Sequence, residues 1–213
     1  MIAVFDLDGT LLNTIADLAA AANAALEAGG FARRSLAECQ SFVGNGITKL
    51  LERALPAGEQ TAENIAKIRP AFFAYYNAHL TDFTRPYQDI VPLLGALAKR
   101  GVKLAVASNK YQYATEKLIT HFFAGILFVA VLGQRENVPV KPDAHIVREI
   151  LAAAHETEQT CLYIGDSEVD MQTARNAGVR VCAVTWGFRE KEILQAYRPD
   201  FIVIRPLEIL ALI

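Results

Sequence analysis

Met1–Thr14 has the sequence MIAVFDLDGTLLNT, and the rest of the chain can be interpreted from this stretch outward. Ile2–Phe5 is an apolar run too short for a helix and precedes a glycine-containing turn, so it predicts a buried strand. Asp6 and Asp8 follow directly, and residues two apart in an extended backbone point the same way, so their carboxylates can share one small volume. Two carboxylates that close need a cation, and Mg²⁺ takes such oxygen ligands. The stretch therefore predicts a strand that ends in a magnesium site.

Turn chemistry is an alternative explanation of this motif, because Asp and Gly are also ordinary turn residues. A calcium loop of the EF-hand type does not fit. Such a loop needs its glycine five residues after the first Asp, and here Gly9 comes three residues after Asp6. The motif alone leaves turn chemistry and metal binding open, and the remainder of the chain has to decide between them.

The composition is that of a globular protein. The chain has 213 residues, of which 53% are hydrophobic and 21% charged, which suits one domain or one domain carrying an insertion. A formal net charge of −2 gives no electrostatic footprint for nucleic acid or an anionic membrane. We see neither a membrane-spanning apolar run nor a signal-peptide pattern, so we expect a cytoplasmic protein. The three cysteines and four histidines lack zinc-ligand spacing.

Residues 14–82 carry the pattern of an all-helical block. The first helix begins at Thr14-x-x-Asp17, which predicts a capping box. Three further helical segments follow, separated by glycine- and proline-containing breaks. Pro70 lies inside the last of them and predicts a kink or a break, because proline removes a backbone hydrogen bond and clashes with the preceding turn.

Beyond this block, short apolar runs alternate with helical patterns. Such alternation predicts a parallel sheet covered by helices on both faces. The predicted strands of this part are 102–107, 127–132, 160–164, 180–184 and 201–204. The fold class is therefore α/β, a Rossmann-like parallel-sheet core domain of residues 1–13 and 83–213 with an inserted all-helical cap domain of residues 14–82.

Polar residues follow several of the predicted strands. Ser108 and Asn109 come after strand 102–107, Lys141 after the next strand, and Asp166 after strand 160–164, with Asp170 four residues further on. In open parallel sheets, ligands bind outside the carboxyl ends of the strands. We therefore expect these side chains to meet Asp6 and Asp8 at one edge of the sheet.

Each of these residues also has a local explanation. Ser108 and Asn109 are residues typical of a helix N-cap, Lys141 could be a surface lysine, and Asp170 completes a capping box with Ser167. Jointly, however, several carboxylates, a hydroxyl and a lysine at one sheet edge suit phosphoryl transfer, in which a metal and a lysine balance the phosphate charge and a carboxylate attacks. This interpretation predicts obligatory dependence on a metal.

The motifs resemble, in order, the four motifs of the haloacid dehalogenase superfamily. They are Asp6-x-Asp8-Gly9-Thr10, Ser108-Asn109, Lys141-Pro142 and Gly165-Asp166-Ser167-x-x-Asp170. Within the superfamily, the chain resembles the phosphoglycolate phosphatase branch, whose members carry a helical cap after the first motif. Val43-Gly44-Asn45-Gly46, Ser108-Asn109-Lys110 and Thr185-Trp186-Gly187 are similar to phrases of that branch.

The resemblance implies a phosphatase with Mg²⁺ as cofactor and a role for each residue. Asp6 would be the catalytic nucleophile, and Asp8 the catalytic acid and base. The implied phosphate-binding residues are Gly9, Thr10, Ser108, Asn109 and Lys141. The implied metal-binding residues are Asp6, Asp8 through its backbone carbonyl, and Asp166. Asp170 is implied to act on the metal indirectly, through the residues or water that bind it.

Within the predicted cap, Gly44-Asn45-Gly46 precedes a helix that carries Lys49. Free backbone N–H groups and a lysine could receive an anion there, although a plain turn between two helices explains the same residues. We expect these four residues to select the substrate. The partner is then a small phosphorylated metabolite, with neither nucleic acid nor membrane, and the sequence does not decide between a monomer and a homodimer.

Two other functions remain open. A sugar-phosphate mutase or a pyrophosphatase of the same superfamily would share the core and differ in the cap. A receiver-type phospho-acceptor module also uses Asp, Ser or Thr, and Lys at strand ends. Its acceptor normally lies on a later strand, however, and it has no helical insertion.

Overall fold

The computed structural model describes all 213 residues. The chain divides into two compact units, one formed by Met1–Asn13 with Pro86–Ile213 and the other by Thr14–Arg85. The first is an α/β unit and the second is helical. No helix combines the length and the apolar character that crossing a bilayer would require.

Six strands of the α/β unit form one parallel sheet in the order β5-β4-β1-β6-β7-β8. Central β1 pairs with β4 on one side and β6 on the other, so Phe5 lies opposite both Val106 and Ile164. The predicted Rossmann-like α/β class is confirmed. The strands are β1 (Ile2–Phe5), β2 (Leu12–Asn13), β3 (Arg85–Pro86), β4 (Lys103–Tyr111), β5 (Ala130–Gln134), β6 (Cys161–Gly165), β7 (Arg180–Val184) and β8 (Phe201–Val203).

Nine α-helices and two short 3-10 helices accompany the strands. Those of the helical unit are α1 (Ile15–Gly29), α2 (Leu36–Phe42), α3 (Gly46–Ala54) and α4 (Ala62–Ala78). Those of the α/β unit are α5 (Ile90–Lys99), α6 (Gln112–Phe122), α7 (His145–Ala154), α8 (Glu168–Ala177) and α9 (Lys191–Ala196), with 3-10 helices at Glu158–Thr160 and Pro206–Ala211. The last helical segment of the chain, Pro206–Ala211, is thus a 3-10 helix. Helix α4 continues through Pro70, so of the predicted kink or break the break is absent, and the kink stays a prediction.

One apolar layer covers the face of the sheet that carries Ile2, Val4 and Tyr163. Helices α7 and α8 supply the other side of this layer through residues such as Val147 and Ala174. Because side chains alternate along a strand, the intervening residues of β1 point to the opposite face and are buried there as well. β1 and β6 are buried along their whole length, and the acidic residues that follow them, Asp6 and Asp166, are buried as well.

The helical unit is tied together at its two ends by Asp17. Its carboxylate accepts hydrogen bonds from the Phe83 N–H (3.0 Å) and from the N–H and hydroxyl of Thr84 (2.8 and 2.7 Å). The predicted capping box is therefore wrong, and the Thr14 side chain does not cap α1. The local pattern predicts the wrong partner for Asp17 because its actual partners lie more than sixty residues further along the chain.

Candidate active site

The turn after β1 carries Asp6 and Asp8 at the carboxyl end of the sheet. The Asp6 N–H donates to a carbonyl of β6 at 2.9 Å, so Asp6 is still in line with the sheet. The Leu7 carbonyl then accepts from the N–H groups of residues 10–12 at 3.0–3.3 Å, which closes a compact turn. Gly9 has φ +87°, a conformation that glycine adopts without side-chain strain. The turn thus fixes the backbone from which both carboxylates project.

Each of these carboxylates faces its own buried lysine. Lys141 Nζ lies 2.9 Å from Asp6 Oδ1, and Lys110 Nζ lies 2.9 and 3.1 Å from the two Asp8 oxygens. Both lysine side chains are only 2% exposed, and a buried charge persists only when it is paired. Lys141 is a predicted site residue, whereas Lys110 was missed. Its place directly after the predicted polar pair was the available signal.

Strand β4 continues through Ser108 and Asn109 to Tyr111, the residue before α6. The alternative that these two residues cap a helix is therefore wrong. The Asn109 amide donates to the Lys141 carbonyl at 3.0 Å and accepts from the Lys141 N–H at 2.9 Å. The Ser108 hydroxyl accepts from the Lys110 N–H at 3.1 Å. Both side chains therefore fix the backbone of a lysine, and contact with phosphate stays a prediction for them.

Asp170 combines a capping role with a place in the site. It forms the capping box of α8 with Ser167, whose hydroxyl and N–H donate to Oδ2 at 2.6 and 3.1 Å. The other oxygen, Oδ1, lies 2.8 Å from Lys141 Nζ and accepts from the Tyr163 hydroxyl at 3.2 Å. Tyr163 was missed by sequence reasoning, although a tyrosine inside an apolar strand needs a hydrogen-bond partner.

Asp166 follows β6 and is held on both of its oxygens. The Thr10 hydroxyl donates to Oδ1 at 3.0 Å, and the Phe188 N–H donates to Oδ2 at 2.7 Å. Gly9 also lies against this carboxylate, because a Cβ at that position would be 2.2 Å from Asp166 Oδ2. The turn after β1 and the end of β6 are therefore packed directly on each other.

Burial and mutual repulsion disturb the ionisation of this cluster. Burial, reinforced by the charge of Asp170, raises the pKa of Asp6 well above its usual range, and Lys141 offsets this only in part. The same two causes raise the pKa of Asp166 to about 7. Burial disfavours the charge of Lys141, but the nearby carboxylates of Asp170 and Asp6 outweigh it and raise the pKa of the lysine. The site thus has more negative charge than its lysine balances.

The residues present fit a divalent cation. One ligand oxygen from each of Asp6, Asp166 and Asp170 can be chosen so that all three lie within 4.8 Å of one another. Carboxylate oxygens are the donors that Mg²⁺ prefers, with water and phosphate completing its octahedron. A cation at this point would also balance the excess negative charge, so the donor set and the electrostatics agree. The Asp8 carboxylate is not in this group, because it points to Lys110.

The predicted specificity residues lie in the helical unit. Gly44 and Gly46 have φ +126° and +81°, so both positions favour glycine. Asn45 precedes α3, and its Oδ1 accepts from Arg53 Nη2 at 2.8 Å. Arg53 also donates to the Phe42 carbonyl at 2.8 Å. Arg53, which sequence reasoning missed, therefore braces this loop.

Lys49 lies on α3 and is half exposed. Its Nζ contacts a carboxylate oxygen of Glu52, one turn further along the helix, at 2.7 Å. Exposed pairs of this kind contribute little to stability, typically about 0.3–0.5 kcal/mol on a helix, so Lys49 can leave Glu52 for a stronger anionic partner at small cost. A role for Lys49 and the loop in substrate selection stays a prediction.

Comparison with known proteins relates the chain to one family along most of its length. The model of the haloacid dehalogenase-like hydrolase family matches residues 3–184. A phosphoglycolate phosphatase of Cereibacter sphaeroides is 38% identical over 192 residues, which cover 89% of this chain and 87% of that protein. A phosphoglycolate phosphatase of Neisseria meningitidis is 34% identical over 205 residues, covering 93% and 87%.

Solved structures share the fold. A crystal structure from Lactobacillus delbrueckii subsp. bulgaricus superposes with a TM-score of 0.91 at 32% identity and covers 98% of this chain and 95% of its own. Another from Haemophilus somnus gives a TM-score of 0.92 at 28% identity, with coverage of 99% and 96%. The architecture is therefore common to these proteins over nearly their whole length.

Proposed function

The chain belongs to the haloacid dehalogenase-like hydrolase family, and on this premise we propose that it hydrolyses a small phosphate monoester in a magnesium-dependent reaction through an aspartyl-phosphate on Asp6. That it is a phosphoric monoester hydrolase, and a phosphoglycolate phosphatase-like member of the family, follows from the family match and the similar proteins. The metal, the covalent intermediate and the substrate are the proposed parts.

The single observation that carries the proposal is the composition of the buried cluster. Asp6 contacts Lys141 at 2.9 Å, and its carboxylate belongs to a group of three whose oxygens lie within 4.8 Å of one another. Two unit charges 4 Å apart still repel by about 4 kcal/mol at an effective dielectric of 20. A phosphate dianion would therefore be expelled from this cluster unless a further cation accompanied Lys141.

Mg²⁺ would be held by the carboxylates of Asp6 and Asp166 and by the backbone carbonyl of Asp8. Asp170 would orient these ligands without contacting the metal directly. When bound, Mg²⁺ supplies positive charge that attracts the phosphate and withdraws electrons from it. Lys141 would contribute a second positive charge next to the phosphate oxygens, and the hydroxyl of Ser108 would donate a hydrogen bond to one of them.

Asp6 and Asp8 would carry out the bond-making steps. The Asp6 carboxylate attacks phosphorus, the phosphorus–ester oxygen bond breaks, and Asp8 gives its proton to the departing alkoxide. Asp8, now ionised, then takes a proton from a water that attacks the aspartyl-phosphate. The bond between Asp6 and phosphorus breaks and inorganic phosphate leaves, so that Asp6 is again a carboxylate and Asp8 again a protonated acid.

We propose phosphoglycolate as the substrate, with Gly44, Asn45, Gly46 and Lys49 selecting it. The support is that similar proteins are phosphoglycolate phosphatases and that the loop and Lys49 would present N–H groups and a positive charge to a carboxylate. The Arg53 side chain, which contacts Asn45 and the Phe42 carbonyl, would keep the loop in one conformation. A smaller, uncharged alcohol on the phosphate would gain nothing from Lys49.

The test is phosphate release from phosphoglycolate, several sugar phosphates and pyrophosphate, each with magnesium and with excess chelator. We expect release only with magnesium and a preference for phosphoglycolate by orders of magnitude, and acid quenching during turnover should leave phosphate on the peptide that contains Asp6. Lys49→Ala should erase the preference, whereas Lys191→Ala, an exposed lysine of the α/β unit, should keep it. Appreciable turnover in chelator would contradict the metal dependence, and unchanged preferences in Lys49→Ala would contradict the role of the loop.

A further inference from the structure

The segment Trp186-Gly187-Phe188 follows β7 and is anchored on both sides. Before it, the N–H and hydroxyl of Thr185 donate to the Val203 carbonyl in β8 at 3.1 and 3.3 Å. After it, Arg189 Nε lies 2.9 Å from a carboxylate oxygen of Glu168 in α8, and the arginine side chain is only 10% exposed. The segment is therefore held as a rigid connection rather than as a free loop.

Hydrogen bonds join this segment to Asp166 by two routes. The Phe188 N–H donates directly to Asp166 Oδ2 at 2.7 Å. The Trp186 indole N–H donates to the Thr10 carbonyl at 3.0 Å, and the Thr10 hydroxyl donates to Asp166 Oδ1 at 3.0 Å. Together the bonds form a closed ring that leads from Trp186 through Thr10 and Asp166 to Phe188, two residues further along the chain.

Gly187 lies against the same carboxylate in the middle of this ring. A Cβ at position 187 would be 2.2 Å from the Cβ of Asp166 and 2.4 Å from Oδ2, and no left-handed φ is required there. Real Cβ atoms essentially never approach another heavy atom that closely, and the Cβ of Asp166 is next to the backbone and cannot swing away. Glycine is thus needed at 187 for close approach to Asp166, not for its conformational freedom.

We propose that Trp186, Gly187 and Phe188 position Asp166 for magnesium and thereby set the affinity of the site for the metal. This inference rests on the proposed function, in which Asp166 is a metal ligand. The ring places one hydrogen bond on each oxygen of Asp166, which fixes the rotation of the carboxylate. Groups that orient a metal ligand in this way typically contribute about 10–100-fold in metal affinity.

Gly187→Ala tests the proposal, with Gly95→Ala as a matched control. Gly95 lies inside α5, no left-handed φ is required there, and nothing lies within 4 Å of an added Cβ, so the same chemical change should be harmless. Magnesium binding to the metal-free proteins is measured by calorimetry and by the fluorescence of Trp186, the single tryptophan of the chain. We expect at least about tenfold weaker binding in Gly187→Ala and wild-type binding in Gly95→Ala.

Magnesium binding by Gly187→Ala as tight as that of the wild type would overturn the proposal. If that variant does not fold, Trp186→Phe removes the indole hydrogen bond to Thr10 and keeps a smaller aromatic ring. It is expected to weaken binding in calorimetry while leaving the melting temperature of the metal-free protein near the wild-type value. Wild-type affinity in Trp186→Phe would then overturn it. A wild-type protein that binds no magnesium would instead refute the proposed function itself, so the two failures are distinguishable.

Discussion

At the scale of single residues, each of the two carboxylates in the turn after β1 pairs with a different buried lysine. Lys141 pairs with Asp6 and Lys110 with Asp8. Lys141 could be predicted because it follows a predicted strand of a parallel sheet, at whose carboxyl edge ligands bind. Lys110 follows the predicted polar pair Ser108 and Asn109 directly, but the direction of its side chain depends on β4 continuing to Tyr111, which an apolar run that ends at residue 107 does not indicate.

Lys110→Gln should slow the hydrolysis of alkyl phosphates more than that of aryl phosphates. The lysine holds the Asp8 carboxylate with two contacts of 2.9 and 3.1 Å, and a poor leaving group depends most on a correctly placed proton donor. General acid catalysis contributes about 10²–10⁴-fold, so we expect kcat for an alkyl ester to fall at least about tenfold. The measurement is kcat for phosphoglycolate against kcat for p-nitrophenyl phosphate.

Lys110→Arg keeps the charge and should restore part of the lost rate. Lys191→Gln removes an exposed lysine and should leave kcat for both substrates unchanged. An equal loss for alkyl and aryl esters would show that Lys110 acts on phosphate binding or on folding, not through Asp8.

At the scale of elements, Asp17 shows how a side chain near a helix start can serve a distant segment. It lies in the first turn of α1, yet its carboxylate receives its hydrogen bonds from Phe83 and Thr84. Local patterns identify the beginning of α1 correctly but assign Asp17 the wrong partner. The bond between the two ends of the unit is a tertiary contact that no local pattern contains.

Asp17→Asn should lower the free energy of unfolding by about 1–3 kcal/mol, the usual cost of leaving a buried donor unpaired. The amide group would place a donor opposite the N–H groups of Phe83 and Thr84. Urea denaturation with and without the substitution measures the loss. Asp82→Asn is the control, because Asp82 forms an exposed pair with His79 and should change the value by less than about 0.5 kcal/mol. Equal stabilities of the two variants would contradict the role of Asp17.

Strands were predicted best where burial is complete. The bounds of β1 and β7 agree with the apolar runs, whereas β5 begins at Ala130 and not at Leu127. Leu127 is 82% exposed, so the apolar run that suggested a strand there includes a residue in solvent. Proline favours the first turn of a helix, so the sequence predicts a helix start at Pro142, whereas α7 begins at His145. Hydrophobicity alone does not distinguish the residues of a buried strand from apolar residues in the exposed segment that precedes it.

At the scale of the whole molecule, the site exists because the sheet collects strand ends that are far apart in the chain. The parallel topology could be predicted from alternating strands and helices, and with it the meeting of Asp6, Lys141 and Asp166. The role of the segment after β7 could not. Thr185-Trp186-Gly187 resembles a phrase of the family, but the contacts of the Trp186 indole, Gly187 and the Phe188 N–H join residues that are far apart in the chain, and no local pattern contains them.

The metal-free protein should lose stability as the pH rises from 5 to 8, and magnesium should reduce this loss. The pKa of Asp166 is raised from 3.8 to about 7, so between these values the folded chain keeps a proton that the unfolded chain has lost. The free energy of unfolding therefore falls with rising pH, by up to about 1.4 kcal/mol per pH unit for each such proton. Melting temperatures at several pH values, with and without magnesium, measure the effect.

The range starts at pH 5 because Glu156, whose pKa is lowered to about 2, contributes an opposite dependence only below its usual value. Asp166→Asn removes one titrating group and should flatten the curve of the metal-free protein. A melting temperature that stays constant or rises from pH 5 to 8 without metal would contradict the charge excess described for the site.

In each unit, hydrogen bonds join the residues near the two points where the chain passes from one unit to the other. In the helical unit Asp17 binds Phe83 and Thr84, and in the α/β unit the Tyr87 N–H donates to the Leu11 carbonyl at 3.2 Å. The two cut ends of either unit are thus neighbours, joined by bonds within that unit. Recombination at such borders could exchange the gene segment for the helical unit without cutting the sheet. On the proposed function, the chemistry and the substrate selectivity could then evolve independently.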